Sequence, residues 1–344
     1  MKKKRPSLRD IADALNVSTT TVSFVLNGIG KEKKISDQLI ERVENYLKEI
    51  DYKPNLLARS LRTGNSHIIV FMVEDVSNHF FSKVGRVIED ISYKNDYRVL
   101  FCSTENDAKR TREHIEVFTE RQVDGFIIVP PPGIKKEIEK LQENGVPVVL
   151  FDRKIHNIAI DTVLLNNYQG ARQTTRHLID QGFNKIAFIT IDLDQNQMHD
   201  RLNGYKSVLE EEGLTEYILT LPYDTDRVAE SRQKIRQFIA DNPQIDSIFF
   251  ATNYLSQSGL KTLHQINSNL VSNLGIISFD DSSFFEMYAP TISAYAQPID
   301  QMGRELMRLM LERIKNDKKE KFEDISLDGE LIIRESSLKK YTRL

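Results

Sequence analysis

The sequence predicts an α/β protein: a doubly wound core of parallel sheet carrying a helix-turn-helix unit at its N-terminus. Two observations predict the fold and a third predicts the division. From His67 onward, short apolar runs alternate with amphipathic stretches of helical period, as strands alternate with crossover helices in a parallel sheet. Before that point, three short helical patterns fall between Ser7 and Ile50. Charge divides at the same place. Residues 1–66 hold 13 Lys and Arg against 8 Asp and Glu, while the remainder of a chain whose net charge is −3 is acidic. A basic head on an acidic body suits a module that touches phosphates while the rest stays clear of them.

The first helix is predicted over Ser7–Leu15. Ser7 and Asp10 stand at capping-box spacing, and Leu8, Ile11, Ala12 and Leu15 form one apolar face. Asn16 tolerates the left-handed backbone of a tight turn, and Ser18 caps a second helix, Thr19–Leu26. Three threonines and two valines are poor helix formers, so packing of Val22, Val25 and Leu26 must hold it. Thr19, Thr20, Thr21, Ser23 and Phe24 are left for other faces. Small hydroxyl side chains near a helix N-terminus enter a major groove, bond phosphates and offer methyls to thymine. A third helix starts after Ser36 and buries Ile40, Val43, Leu47 and Ile50.

In the core, the continuous apolar run His67–Val73 suits a strand covered on both faces. Phe80, Phe81, Val84, Val87, Ile88 and Ile91 then form a helical stripe. Further strands are predicted near 97–103, 124–129, 147–151, 185–190, 246–251 and 274–279. The single cysteine, Cys102, lies in one of these runs and reads as a buried structural thiol.

Several function classes lose support. No glycine-rich dinucleotide fingerprint, P-loop or G-x-S-x-G elbow is present. The seven histidines show neither H-x-H nor H-x-x-x-H spacing, so no metal site, cofactor or catalytic residue is assigned. No apolar stretch approaches the roughly 18 residues of a membrane span, and Ser7–Asp10 follows the basic start where a secretory signal would continue apolar. A cytoplasmic location is expected.

The strings Asp10-Ile11-Ala12, Val17 through Gly28, and Tyr52 through Gly64 resemble the headpiece and hinge of the lactose-repressor (LacI/GalR) family. The core strings Val73–Phe81, Val123–Ile128, Val146–Arg153 and Gly275–Asp281, with Gln297-Pro298 and Met302-Gly303-Arg304, resemble that family's periplasmic-binding-protein-like effector domain. The resemblance runs from about residue 5 to 337. It implies a headpiece at 1–53, a hinge helix at 54–66 and a core of two parallel-sheet lobes at 67–344. It also implies three chain crossings between lobes, near 160, 292 and 324. Lobe 1 would then comprise 67–160 and 292–324, and lobe 2 161–291 and 325–337. DNA contacts are carried over to Ser7, Ser18, Thr19, Thr20, Thr21, Ser23, Phe24 and Asn27, and in the hinge to Asn55, Ala58 and Leu61. In the family this last position wedges a leucine into the minor groove.

The cleft residues implied are Phe80, Asp152, Arg201, Asn253, Asp280 and Gln297. Asp152 and Asp280 end strands, where ligands of open α/β sheets sit. Carboxylates accept pairs of hydroxyl hydrogens, and the planar fork of an arginine suits vicinal hydroxyls or a carboxylate. Three departures bear on specificity. Phe24 stands where the family usually has an arginine, and a phenyl ring cannot read guanine by hydrogen bonds; it either meets a thymine methyl or turns into the headpiece core. Thr252-Asn253-Tyr254 and Asn166-Asn167 replace pairs that carry Asp in the family. No leucine heptads follow Ser337, so a homodimer reading a pseudo-palindromic double-stranded operator is expected.

The function implied is a sequence-specific DNA-binding transcriptional regulator, a repressor, allosterically controlled by a sugar or sugar derivative between the lobes. The rival readings are a solute-binding receptor or a sugar-active enzyme built on the same core. Effector identity, operator sequence, the sign of the response and use of a protein corepressor are not readable from the residues.

Overall fold

A computed structural model describes residues 6–52, 64–222, 228–315 and 321–338. The chain divides into two compact units, Met1–Ser66 and His67–Leu344.

The first unit holds α1 (Leu8–Leu15), α2 (Thr19–Leu26) and α3 (Asp37–Glu49). The capping box of α1 forms: the Ser7 N–H donates to Asp10 Oδ2 at 2.7 Å, and the Asp10 N–H donates to Ser7 Oγ at 3.2 Å. Asn16 ends the helix with φ 49°. Ser18 and Ser36 cap α2 and α3 through their hydroxyls. Ile11, Ala12, Leu15, Val22, Val25 and Val43 make a small buried core, which is what holds the threonine-rich α2 helical. The Arg42 guanidinium donates to the Leu15 carbonyl and ties α3 to the end of α1.

The second unit runs β1 (Ile68–Val73), α4 (His79–Lys94), β2 (Arg98–Ser103), α5 (Ala108–Glu120), β3 (Gly125–Ile128), α6 (Lys135–Glu143), β4 (Val148–Phe151) and β5 (Asp161–Leu165). It continues through α7 (Asn167–Asp180), β6 (Ile186–Asp192), α8 (Asn196–Glu212), β7 (Tyr217–Pro222), α9 (Val228–Asp241), β8 (Ser247–Phe250), α10 (Asn253–Ile266), α11 (Leu270–Asn273) and β9 (Gly275–Phe279). Last come β10 (Ser293–Ala296), α12 (Ile299–Lys315), β11 (Asp324–Leu327) and β12 (Glu330–Ile332). One sheet has the order β11-β5-β4-β3-β1-β2 and the other β12-β10-β9-β8-β6-β7. Every pairing is parallel except β10 with β12. These are the two doubly wound lobes.

The three crossings fall a few residues later than 160, 292 and 324. β5 belongs to lobe 1, beside β4, and Asp161 at its start is fully buried against Arg313 of α12, which also packs on lobe 1. β10 belongs to lobe 2, beside β9, and β11 returns to lobe 1 beside β5. The chain therefore crosses after Leu165, after Ala296 and after Leu327. No strand is predicted from the sequence at Asp161–Leu165, where a polar Asp heads the buried run. Its partner lies far along the chain.

Tyr295 sits among all three crossings. It is fully buried, and its hydroxyl accepts the Gly329 N–H at 2.9 Å. A side chain at Gly170 or Gly329 would begin 2.6 Å or 2.5 Å from the Tyr295 ring, so both positions require glycine for the approach. Cys102 departs from expectation. It is half-buried, because β2 is the edge strand and leaves Leu100 and Phe101 exposed. Among the described residues, no helix is long and apolar enough to cross a membrane.

Candidate functional site

In the headpiece the outer side of α2 carries most of the candidate residues. Ser18, Thr19 and Thr20 are exposed, and Thr21 and Ser23 are half-buried. Three of these hydroxyls, on Ser18, Thr21 and Ser23, are engaged. Ser18 Oγ accepts the Thr21 N–H at 3.0 Å and lies 2.8 Å from Thr21 Oγ1. The Asn27 amide donates to the Ser23 carbonyl at 2.7 Å, closing the helix. Ser7 is held by Asp10. Thr19 and Thr20 remain the outward pair. Phe24 stays out of the buried core cluster; its ring is half-buried, with Lys33 Nζ 5.7 Å from the centroid. The expected hinge residues Asn55, Ala58 and Leu61 lie outside the described residues.

In the core, the carboxyl ends of β4 and β9 face each other across the two lobes. Asp152 and Asp280 each follow the last strand residue with a left-handed backbone, φ 66° and 70°. Each carboxylate receives a glutamine amide: Gln197 Nε2 reaches Asp152 Oδ2 at 3.4 Å, and Gln297 Nε2 donates to Asp280 Oδ1 at 2.5 Å. The Gln197 contact spans the lobes, as does the bond from Asn196 Nδ2 to the Lys154 carbonyl at 3.3 Å. These two bonds join the lobes on this side of the cleft.

Arg201 and Arg153 neutralise the two ends. Arg201 Nε donates to Asn167 Oδ1 at 2.8 Å, and Nη1 donates to the Ala251 carbonyl at 2.7 Å and lies 3.8 Å from Asp280. The guanidinium stacks on Phe279, 3.8 Å from its centroid. Arg153 pairs with Glu74 and Asn106 and lies 3.4 Å from Asp152. Burial pushes the Asp152 carboxyl above the usual carboxylate range; Arg153 and Arg201 draw it back, and Glu74 and Asp280 push it further up. Phe80 stacks on Phe151 at 5.7 Å and forms an apolar wall.

Five of the six expected cleft residues, Phe80, Asp152, Arg201, Asp280 and Gln297, line one central chamber of about 40 Å³. Asn253 does not. Thr252 caps α10, its hydroxyl accepting the Leu255 N–H, so Thr252 and Tyr254 take the central wall. Asn253, as first residue of the helix, turns to an adjoining chamber of about 410 Å³. The sequence reading also missed Glu74, Arg153, Gln195 and Gln197 as lining. The amide run Gln195-Asn196-Gln197 directly after β6 was a legible signal, since polar amides at a strand's carboxyl end are placed toward the crevice. Among the described residues no cluster of three or more His, Cys, Asp or Glu could hold a metal ion.

Residues 7–55 match the family described as bacterial regulatory proteins, lacI family, and residues 175–337 match a periplasmic binding protein-like domain. The ribose operon repressor of Halalkalibacterium halodurans is 30% identical over 96% of this chain and 97% of its own length. A probable HTH-type transcriptional regulator, EndR, of Paenibacillus polymyxa is 31% identical over 97% and 98%. Among solved structures, a lac repressor dimer bound to operator and anti-inducer shares the fold, with a TM-score of 0.83 at 19% identity over 97% of this chain and all of that one. A LacI family regulator from Enterococcus faecium with bound ribose gives 0.71 at 25% identity, covering 80% of this chain and all of the other. The chain belongs to the lacI family of bacterial regulatory proteins and is a DNA-binding transcriptional regulator.

Proposed function

We propose that the chain acts in the cytoplasm as a dimeric repressor whose affinity for a pseudo-palindromic operator is set by a carbohydrate held between the two lobes. The observation that carries this reading is the interlobe chamber, where two strand-end carboxylates, two guanidiniums and three glutamine amides converge. Such groups recognise hydroxyl-bearing ligands by paired hydrogen bonds. The relatives named for ribose and the neighbour holding ribose support a sugar effector.

Thr19 and Thr20, with Phe24, would meet base edges in the major groove, while Ser7, Ser18, Thr21, Ser23 and Asn27 set the helix and meet phosphates. From the sequence, Asn55, Ala58 and Leu61 would enter the minor groove at the centre of the site. Closure of the lobes and operator binding are then linked by a coupling free energy of about 1–3 kcal/mol. The dimer reading is supported by apolar residues left outside: Met287, 85% exposed, beside Phe284 and Tyr288, and Leu100 and Phe101 on the β2 edge. The named relatives are regulators, which favours binding over turnover.

The test is selection of genomic fragments by the full-length protein, followed by melting of the protein with host sugars. Enriched fragments sharing a two-fold-symmetric motif, and a sugar that raises the melting temperature, are expected. Fragments without a shared motif would overturn the DNA reading, and no shift with any sugar would overturn the effector reading.

A further inference from the structure

We propose that Lys33 supplies the cation that α2 itself lacks, donating to a backbone phosphate oxygen of the DNA, and that Phe24 is the positioning residue that holds it there. The proposal rests on the reading of α2 as the DNA helix and adds to it the source of the charge.

The charge has to come from outside the helix. The eight residues of α2, Thr19–Leu26, include no charged side chain. Thr20 and Phe24 are four residues apart and so share one face of it. Thr20 is exposed, and Phe24 is left out of the buried cluster. The described part of the headpiece carries Arg9, Lys31, Lys33, Lys34, Arg42 and Lys48 as its cations. Arg42 is engaged by the Leu15 carbonyl, and Lys31 lies 3.0 Å from Asp37. Lys33 turns back over α2: its Nζ lies 5.7 Å from the Phe24 ring centroid, inside the cation–π reach of about 6 Å. Among the described residues no carboxylate pairs with it.

The lysine is presented by a built turn. Gly28, with φ 71°, ends α2; its N–H donates to the Val25 carbonyl and the Ile29 N–H to the Phe24 carbonyl, both at 3.0 Å. One more turn follows, in which the Lys33 N–H donates to the Ile29 carbonyl at 3.1 Å. It closes in the same way. Lys34 has φ 58°, its N–H donates to the Lys31 carbonyl, and the Ile35 N–H donates to the Gly30 carbonyl, both at 3.0 Å. Gly30 is buried, and Ile35 packs against the headpiece core. The backbone under Lys33 is therefore fixed relative to α2, and the flexible stem needs only a contact at its far end. The negative face of the Phe24 ring provides it.

A phosphate is the acceptor that this arrangement favours. An ammonium is a compact charge without a planar fork, which suits a phosphate oxygen better than paired acceptors on a base edge. Lys33 also enters from the C-terminal end of α2, whereas the N-terminal residues of such a helix meet base edges. Thr19 and Thr20 then read, Lys33 anchors, and Phe24 keeps the anchor on their side of the helix.

The experiment is a fluorescence-anisotropy titration of full-length protein on the operator recovered by genomic selection, across a salt series. Each phosphate contact adds about 0.9 to the slope of log affinity against log salt. Lys33→Met should therefore shallow the slope by about 0.9 per half-site, about 1.8 for a dimer, without altering the selected sequence, and Lys33→Arg should restore it. Lys33→Gln is the second variant should the methionine form fold poorly. Phe24→Leu is the sharper probe because it removes no charge. It should shallow the slope by at least half as much as Lys33→Met, and the double variant should lose no more than Lys33→Met alone. Lys94→Met, at an exposed lysine of the second unit, should leave the slope unchanged. A wild-type slope in Lys33→Met overturns the proposal, as does a loss matched by Lys94→Met, which would be an effect of net charge. A slope that Phe24→Leu leaves intact overturns the role of the ring. A changed base preference at one position in Lys33→Met overturns the phosphate in favour of a base edge. Wild type that shows no salt-sensitive binding to any duplex refutes the reading of α2 itself, and the proposal with it.

Discussion

Replacing Arg201 with Met tests the electrostatic architecture of the cleft at its most enclosed point. Arg201 is 3% exposed, donates to Asn167 and Ala251, lies 3.8 Å from Asp280 and stacks on Phe279. Methionine fills much of the volume and keeps contact with the phenyl ring. It leaves the buried carboxylate of Asp280 opposite Asp152 with a countercharge removed. Breaking one side of a buried pair costs about 3–5 kcal/mol, because the remaining charge is uncompensated. At about 2.1 cal/mol/K of unfolding entropy per residue, a core of about 280 residues (His67–Leu344) loses about 1.7 °C per kcal/mol, so its transition should fall by roughly 5–9 °C. The chain has no tryptophan, so far-ultraviolet circular dichroism or calorimetry is the suitable readout. Adding Asp280→Asn to Arg201→Met should restore part of the loss, since the orphaned charge goes with it. A single variant that melts within about 1 °C of wild type, or a double variant whose loss equals the sum of the two singles, would refute the reasoning.

Three further predictions concern other parts of the molecule. Phe24→Arg should shift the selected operator toward guanine at the facing position by about 1–3 kcal/mol of discrimination, read from the sequence profile of bound fragments; an unchanged profile would place Phe24 away from the bases. Tyr295→Phe strips the Gly329 N–H of its acceptor at the crossings and should cost about 1–3 kcal/mol in denaturant unfolding, whereas an unaltered midpoint would mean that the bond contributes nothing. Burial raises the Asp152 carboxyl in the folded state, so folding favours its protonated form. That contribution is full below the ordinary carboxylate value and is lost as pH rises through the raised one. The stability of wild type relative to Asp152→Asn should therefore decline with pH across that window and level off above it; a difference that grows with pH would give the opposite sign.

The fold was largely legible because its strands are buried on both faces. Ile68–Val73, Val148–Phe151 and Gly275–Phe279 are unbroken apolar runs, and the strand-end aspartates after two of them marked the cleft. What escaped depends on partners distant in sequence. β5 opens with a buried Asp161 whose arginine lies 152 residues on, and Glu74 meets Arg153 across 79 residues. The place of Asn253 turned on a single residue of phase. Once Thr252 became the cap of α10, Thr252 and Tyr254 faced the central chamber and Asn253 its neighbour. The cap bond that decided this has the same three-residue spacing as the headpiece caps Ser7, Ser18 and Ser36, which were readable from the sequence; which chamber each side chain of the first turn then faces depends on partners brought in from elsewhere in the chain.

The most direct test of a regulator that reads DNA through α2 is a fluorescence-anisotropy titration of full-length protein on its selected operator and on a shuffled duplex, across a series of salt concentrations. Log affinity should fall in a straight line with log salt on both, with the operator held at least about 10³-fold more tightly, as specific sites are, and with a preference that collapses in Thr19→Ala/Thr20→Ala while the fall with salt persists. Equal affinity for the two duplexes, or an operator preference unmoved by those substitutions, would contradict it.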